Sequence, residues 1–175
     1  MTLSTQNTFF TSASTQKETN MPRISTFVLA IALSIVLSPV ALAQDTGMIT
    51  RSSKLSVSEA SARLESAIQA SGVYKVFYKL DHAANAEREA GAKLRPAQLI
   101  LFGNPKGGAP LIAEAPTLAL DLPNRALIWG DKDGKVWITY NDIASLFTRH
   151  GLKRSPEQIK AIEARQAALF DKAVE

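Results

Sequence analysis

Apolar and polar positions change period several times along this chain, and each change marks a different kind of segment. From Phe27 to Leu37 the residues are apolar apart from Ser34; Arg23 supplies positive charge ahead of that run, and Ala41-Leu42-Ala43 follows it. Positive charge, an apolar stretch and a small-residue A-x-A site, in that order, make up a cleavable secretion signal. The signal covers residues 21–43, and cleavage is expected between Ala43 and Gln44. The run is shorter than the roughly 20 apolar residues that cross a bilayer, and Pro39 interrupts it, so no stable membrane anchor is expected after cleavage. Residues 1–20 are rich in Ser, Thr, Gln and Asn without apolar periodicity, which reads as a non-native extension ahead of a true start at Met21.

Beyond the signal, strand and helix periods alternate. Ile49 to Leu55 reads as a first strand. Ser56-Val57-Ser58-Glu59 has the form of a capping box, and Val57, Ala60, Leu64, Ala67 and Ile68 then share one helical stripe that ends at Gly72. The period drops to two from Val73 to Leu80, where Tyr74, Val76, Tyr78 and Leu80 form one apolar face opposite Lys75, Phe77 and Lys79. An Ala-rich passage over residues 83–91 leads to Gln98–Phe102, a short apolar run that fits a central strand closed by Gly103-Asn104-Pro105.

Pro110 fits the first turn of a short helix that buries Leu111, Ile112 and Ala115 and is broken by Pro116. Ala126 to Trp129 and Lys135 to Tyr140 flank Asp131-Lys132-Asp133-Gly134 as a hairpin. Asn141 or Asp142 caps a helix carrying Ile143, Leu146 and Phe147, which stops at Gly151. Ser155-Pro156-Glu157-Gln158 opens a final helix; Gln166 breaks its stripe of Ile159, Ile162, Leu169 and Phe170, so it is expected to be peripheral. Leu99, Leu101 and Ile138 are expected in the core, as are the aromatics Tyr74, Phe77, Tyr78, Phe102, Trp129, Trp137 and Tyr140. The sum is an α+β domain over residues 44–154, an antiparallel sheet of about five strands flanked by helices, followed by a C-terminal helix over residues 155–175.

Composition adds little to this picture: 46% hydrophobic and 21% charged residues suit a globular chain. Removing residues 1–43 takes away Lys17, Arg23 and Glu18, so 20 basic and 16 acidic residues become 18 and 15, a net +3. The basic residues are scattered, which argues against nucleic acid as a partner. There is no cysteine, so neither disulfides nor thiolate chemistry is available and the core alone must hold the fold.

Four motifs recur at element ends: Asp81-His82 after one strand, Phe102-Gly103-Asn104-Pro105 after the next, Asp121-Leu122-Pro123 before the hairpin, and Tyr140-Asn141-Asp142 at its end. From Ser53 to about Leu152 their order and spacing resemble the domain of unknown function 302 family. The resemblance implies a compact β-α-β(4)-α-like domain, to which the piece near Pro110 and the C-terminal helix are additions, and homodimers among at least some members. It implies no reaction.

Asp81-His82 is the most suggestive pair, since an imidazole titrates near neutrality and a carboxylate can orient it. Neighbours on an extended segment point apart, however, which favours a strand-closing role. His150 reads as a cation at a helix C-terminus. Gly103 to Gly108 lacks the Walker order, and Asp131 to Gly134 reads as a turn rather than a calcium loop. No zinc spacing is present, so no metal or cofactor is expected.

The leading expectation is an exported, periplasmic, non-catalytic domain that binds a small ligand or a protein. Its binding residues would be drawn from Asp81, His82, Asn104, Pro105, Asp121, Tyr140 and Asn141. The alternative is a periplasmic enzyme using His82 as general base with Asp81 or Asp121.

Overall fold

The computed structural model describes residues 46–175; the expected extension, signal and cleavage site at residues 1–44 lie outside the described residues. The elements are β1 (Met48–Ser53), α1 (Val57–Ala70), β2 (Lys75–Asp81), α2 (His82–Ala90), β3 (Ala97–Gly103) and α3 (Pro105–Glu114). They are followed by a 3-10 helix (Pro116–Leu120), β4 (Asn124–Gly130), β5 (Val136–Asn141), α4 (Ile143–Arg149) and α5 (Pro156–Val174). The strands form one sheet in the order β1-β5-β4-β3-β2, every neighbouring pair antiparallel. The fold is therefore the expected α+β arrangement of five antiparallel strands flanked by helices.

Because β1 and β2 occupy opposite edges, α1 must cross the sheet to connect them. Its stripe explains how it does so: Ala60, Leu64 and Ile68 are fully buried against Ile100, Phe102, Ala126, Ile128 and Ile138. Both halves of the Ser56–Glu59 capping box form, fixing where that helix starts. A second cluster, Ala115, Leu118, Ile143, Leu146, Phe147 and Leu152, joins α3, the 3-10 helix and α4, and Ile159 and Ile162 from the start of α5 pack on it.

Several expectations need correction. The C-terminal helix is not peripheral: Leu169, Phe170 and Ala173 enter the main core, and Phe170 is fully buried, stacked on Tyr140 at 3.8 Å between ring centroids and edge-on to Phe102 at 6.0 Å. Gln166, which broke the stripe, is itself buried. The Ala-rich passage is α2, capped by the Asp81 side chain accepting from the Ala84 N–H and ended by Gly91 in the left-handed conformation. The helix expected from Pro110 starts earlier, at Pro105, with Asn104 as its cap and Pro110 inside it.

The alternation expected in β2 is interrupted by a bulge between Val76 and Tyr78. Val76 pairs with Phe102 on the helix side, whereas Tyr78 and Leu80 pair with Leu101 and Leu99 on the other side. Lys79 is thereby turned toward the helices, where its ammonium meets Glu65 of α1 at 2.7 Å. Leu99 and Leu101 are likewise outside the core, since they alternate with buried Ile100 and Phe102. Ile138 is fully buried, as expected.

Candidate functional site

Register divides the seven sequence candidates between the two ends of the sheet. Asp81 pairs with Gln98 at the start of β3, while Asn104, Pro105 and Asp121 gather where Phe102 pairs with Asn124. Gln98 and Phe102 are four residues apart, about 14 Å along the strand. His82 and Asp121 consequently belong to opposite ends and form no acid–base pair. Asp81 does not orient His82 through a hydrogen bond either: its two oxygens accept from the Ala84 N–H at 2.9 Å and the Gln98 amide at 2.9 Å. Those two bonds hold its carboxyl below the usual carboxylate range.

Asn104 caps α3 by accepting from the Lys106 N–H at 3.1 Å, and Pro105 occupies the first helical position, where a missing N–H costs nothing. Tyr140 points from β5 into the core, where burial raises its phenol pKa against the opposing effect of Arg51. It also borders a narrow groove with Ile49, Asp142, Ile143 and Lys160. Asn141 closes β5 opposite Met48, and Asp142 rather than Asn141 caps α4, accepting from the Ser145 N–H at 2.7 Å.

The densest polar arrangement surrounds Asp121 and was only half visible in the sequence. His150 at the end of α4 brings Nε2 to 2.8 Å from Asp121 Oδ2 and Nδ1 to 3.0 Å from the Thr117 hydroxyl. Arg149 donates to the same carboxylate oxygen at 2.9 Å, and Arg125 donates to the other at 3.2 Å and to the Leu120 carbonyl at 2.6 Å. Led by the His150 hydrogen bond, these contacts lower the Asp121 pKa. Hydroxyl, imidazole and carboxylate stand in the order of a nucleophile relay, but two arginines share the carboxylate, and the groove beside Tyr140 does not include it. What the cluster demonstrably does is clamp the 3-10 helix and β4 to α4. Thr117 and His150 are 33 residues apart, so no local spacing could have signalled the contact.

The face of the sheet turned away from α1 and α5 is the larger feature. Tyr78, Leu80, Leu99, Leu101, Leu127, Trp129 and Trp137 fall on it by register, and none belongs to either core cluster. Tyr78 is 57% exposed and the bulged Phe77 54% exposed, so these aromatics are surface, contrary to the expectation of core. Trp129 and Trp137 stack at 6.4 Å, with Lys135 Nζ 4.1 Å from the Trp137 ring centroid. Both indole N–H groups are already satisfied, Trp129 on the Thr139 hydroxyl at 3.0 Å and Trp137 on Asp131 Oδ2 at 2.7 Å.

The profile of the family described as Domain of unknown function DUF302 matches residues 49–173. A protein named fluoride-specific ion channel FluC 1 from Brucella suis biovar 1 is 45% identical over 125 residues, 71% of this chain and 48% of that protein. One of the same name from Brucella abortus biovar 1 is 45% identical over 125 residues, 71% of this chain and 46% of its own length. The chain thus spans about half the length of these curated relatives. A crystal structure of an uncharacterised conserved DUF302 protein from Bacillus stearothermophilus superposes with a TM-score of 0.62 at 19% identity, covering 73% of this chain and 98% of that one, a likeness of fold. With the profile running from β1 nearly to the end of α5, this chain belongs to the DUF302 family.

Proposed function

We propose that this chain is an exported, non-catalytic interaction domain of the cell envelope, and that its open sheet face is where it meets protein, a second copy of itself first. The observation that carries this reading is the satisfied state of the two tryptophans on that face. An indole N–H that is already bonded within its own sheet can be covered by a partner without losing a water bond, so burying the rings gains their apolar area at little polar cost. Five strands about 4.8 Å apart and some 20 Å long offer roughly 500 Å² of plane. Once side-chain relief is added, that is of the order of the 800 Å² per partner that stable interfaces bury. Two such faces would stack about 10 Å apart as a sandwich.

The Brucella relatives bear on the context. Their name is that of a channel, and the chain matches about half of each. Among the described residues no helix is long and apolar enough to cross a membrane. This supports assigning the channel work of those proteins to the half that does not match, and reading the shared domain as an attached interaction module. In this chain the segment over residues 21–43 would deliver the module outside the inner membrane as a periplasmic protein.

Light scattering coupled to size exclusion on residues 44–175 tests the proposal. The expected result is a dimer at micromolar concentration that Leu101→Glu together with Leu127→Glu converts to a folded monomer. A wild-type domain that stays monomeric at about 100 μM, a weak-complex concentration, would overturn it.

A further inference from the structure

We infer that the groove between α1 and α5, on the opposite face of the sheet from the tryptophans, binds single-chain anionic amphiphiles such as medium-chain carboxylates. The groove is open to solvent along its length, has a volume of about 810 Å³, in the range of small-molecule sites, and its apolar lining includes Val73, Tyr74 and Leu169. The two helices run antiparallel beneath it. The Lys54 N–H donates to the Val174 carbonyl, which sets the end of α5 beside the start of α1, while Arg165 in mid-α5 acts on Tyr74 just beyond the end of α1. From Arg63 to Ala70 the trough follows α1 for about 10 Å at 1.5 Å per residue.

Charge identifies the occupant. Arg63, Arg165 and Lys172 line the trough and no carboxylate does. Elsewhere on the domain Arg51, Lys79, Arg125, Arg149 and Arg154 each meet an acidic partner within 3.2 Å. Lys75, Lys93, Arg95 and Lys106 form no ion pair among the described residues but line neither this trough nor the groove beside Tyr140, so what sets the trough apart is three cations gathered on one apolar lining. Among the described residues none of the three groove cations forms an ion pair; Arg63 acts on Glu59 and Arg165 on Tyr74 only through space. Three like charges collected around apolar surface repel one another, and an anionic head on an apolar tail relieves that repulsion while covering the trough. A neutral amphiphile would satisfy the lining but not the charges, and a polar anion the reverse.

Titration calorimetry with sodium decanoate, decanol and acetate on residues 44–175 provides the test. Decanoate is expected to bind at least about tenfold more tightly than decanol, a difference of one charge-assisted contact, and acetate not to bind. Arg165→Glu with Lys172→Glu should weaken decanoate by about tenfold or more. Ala70→Trp and Ser66→Trp, at exposed positions that line the trough, should each block it while circular dichroism stays native. Equal affinity for decanoate and decanol, or decanoate binding undiminished by both tryptophan variants, overturns the inference. Oligomeric state is read in the same samples by light scattering, so failure here is distinguishable from failure of the sheet-face dimer.

Discussion

Replacing Phe170 by alanine measures how far the C-terminal helix is part of the domain. The ring is fully buried, lies parallel to Tyr140 with an interplanar angle of 7°, and meets Phe102 nearly at right angles. Truncating a buried phenylalanine costs about 3–5 kcal/mol in transfer and cavity energy. The two aromatic contacts place this site toward the upper part of that range, since each is worth about 0.5–1.5 kcal/mol beyond area. Domain stabilities are about 5–15 kcal/mol, so the variant should lose a third or more of its stability. At this size that corresponds to a fall in Tm of roughly 10–20 °C. Urea melts of residues 44–175, followed by circular dichroism, read the effect as a lower midpoint at unchanged slope. Phe170→Leu should recover more than half of it. A cost below about 1 kcal/mol, the range of surface substitutions, would show that α5 detaches in solution and refute the reasoning.

Asp121→Asn should destabilise by about 1–3 kcal/mol at neutral pH, the worth of its charge-assisted bonds. Because the folded carboxyl titrates below its unfolded value near 3.9, its contribution is present above that pH and is lost as pH falls through the folded value, so wild type and variant should converge in acid melts. Ser61 is buried and its hydroxyl has no partner, so Ser61→Ala should be neutral or stabilise by up to about 1 kcal/mol in thermal melts; a clear loss would reveal a bond to water. Ile138→Ala should cost about 2–5 kcal/mol, against about 1 kcal/mol for the cap variant Asn104→Ala and less for His82→Ala, all read by urea midpoint.

What the sequence disclosed tracks the range of the interactions involved. The capping box at Ser56, the helix start at Ser155, the Asp131–Gly134 turn and the alternation of Val136–Tyr140 are set within a few residues, and all of them form. Gln166 misled because a single polar residue on a stripe looks the same whether the helix is covered or exposed. Leu99 and Leu101 misled because apolarity on both faces of a strand ordinarily means two covers, and here, among the described residues, both buried clusters leave out the face they occupy. Asp121 was found by its place before the hairpin, but its partners Arg149 and His150, and Thr117 behind His150, come from separate elements that only the tertiary fold brings together. The same holds for the α1–α5 groove, whose two walls are about a hundred residues apart in the chain.

The β2 bulge offers a sharper test of how this sheet assigns its faces. Val76 faces the helices; one residue is then absorbed without a partner, after which Tyr78 faces out, Lys79 in, Leu80 out and Asp81 in. If Phe77 is deleted, the remaining order Val76, Tyr78, Lys79, Leu80 alternates strictly, and every residue keeps the face it now has. The Lys79–Glu65 ion pair and the Asp81–Gln98 bond should both survive. Deleting Lys79 instead leaves the bulge in place and reverses everything after it, turning Leu80 toward the helices and Asp81 away from Gln98 and from the cap of α2. The two deletions remove one residue each from the same strand, two positions apart. Loss of Phe77 should cost no more than about 1 kcal/mol, because the residue is mostly exposed and its removal regularises the ladder. Loss of Lys79 should cost several kcal/mol through the cap, the buried-edge hydrogen bond and the ion pair together. Urea melts of the two variants decide between them, and equal destabilisation would mean that the bulge, not the alternation around it, is what the strand requires.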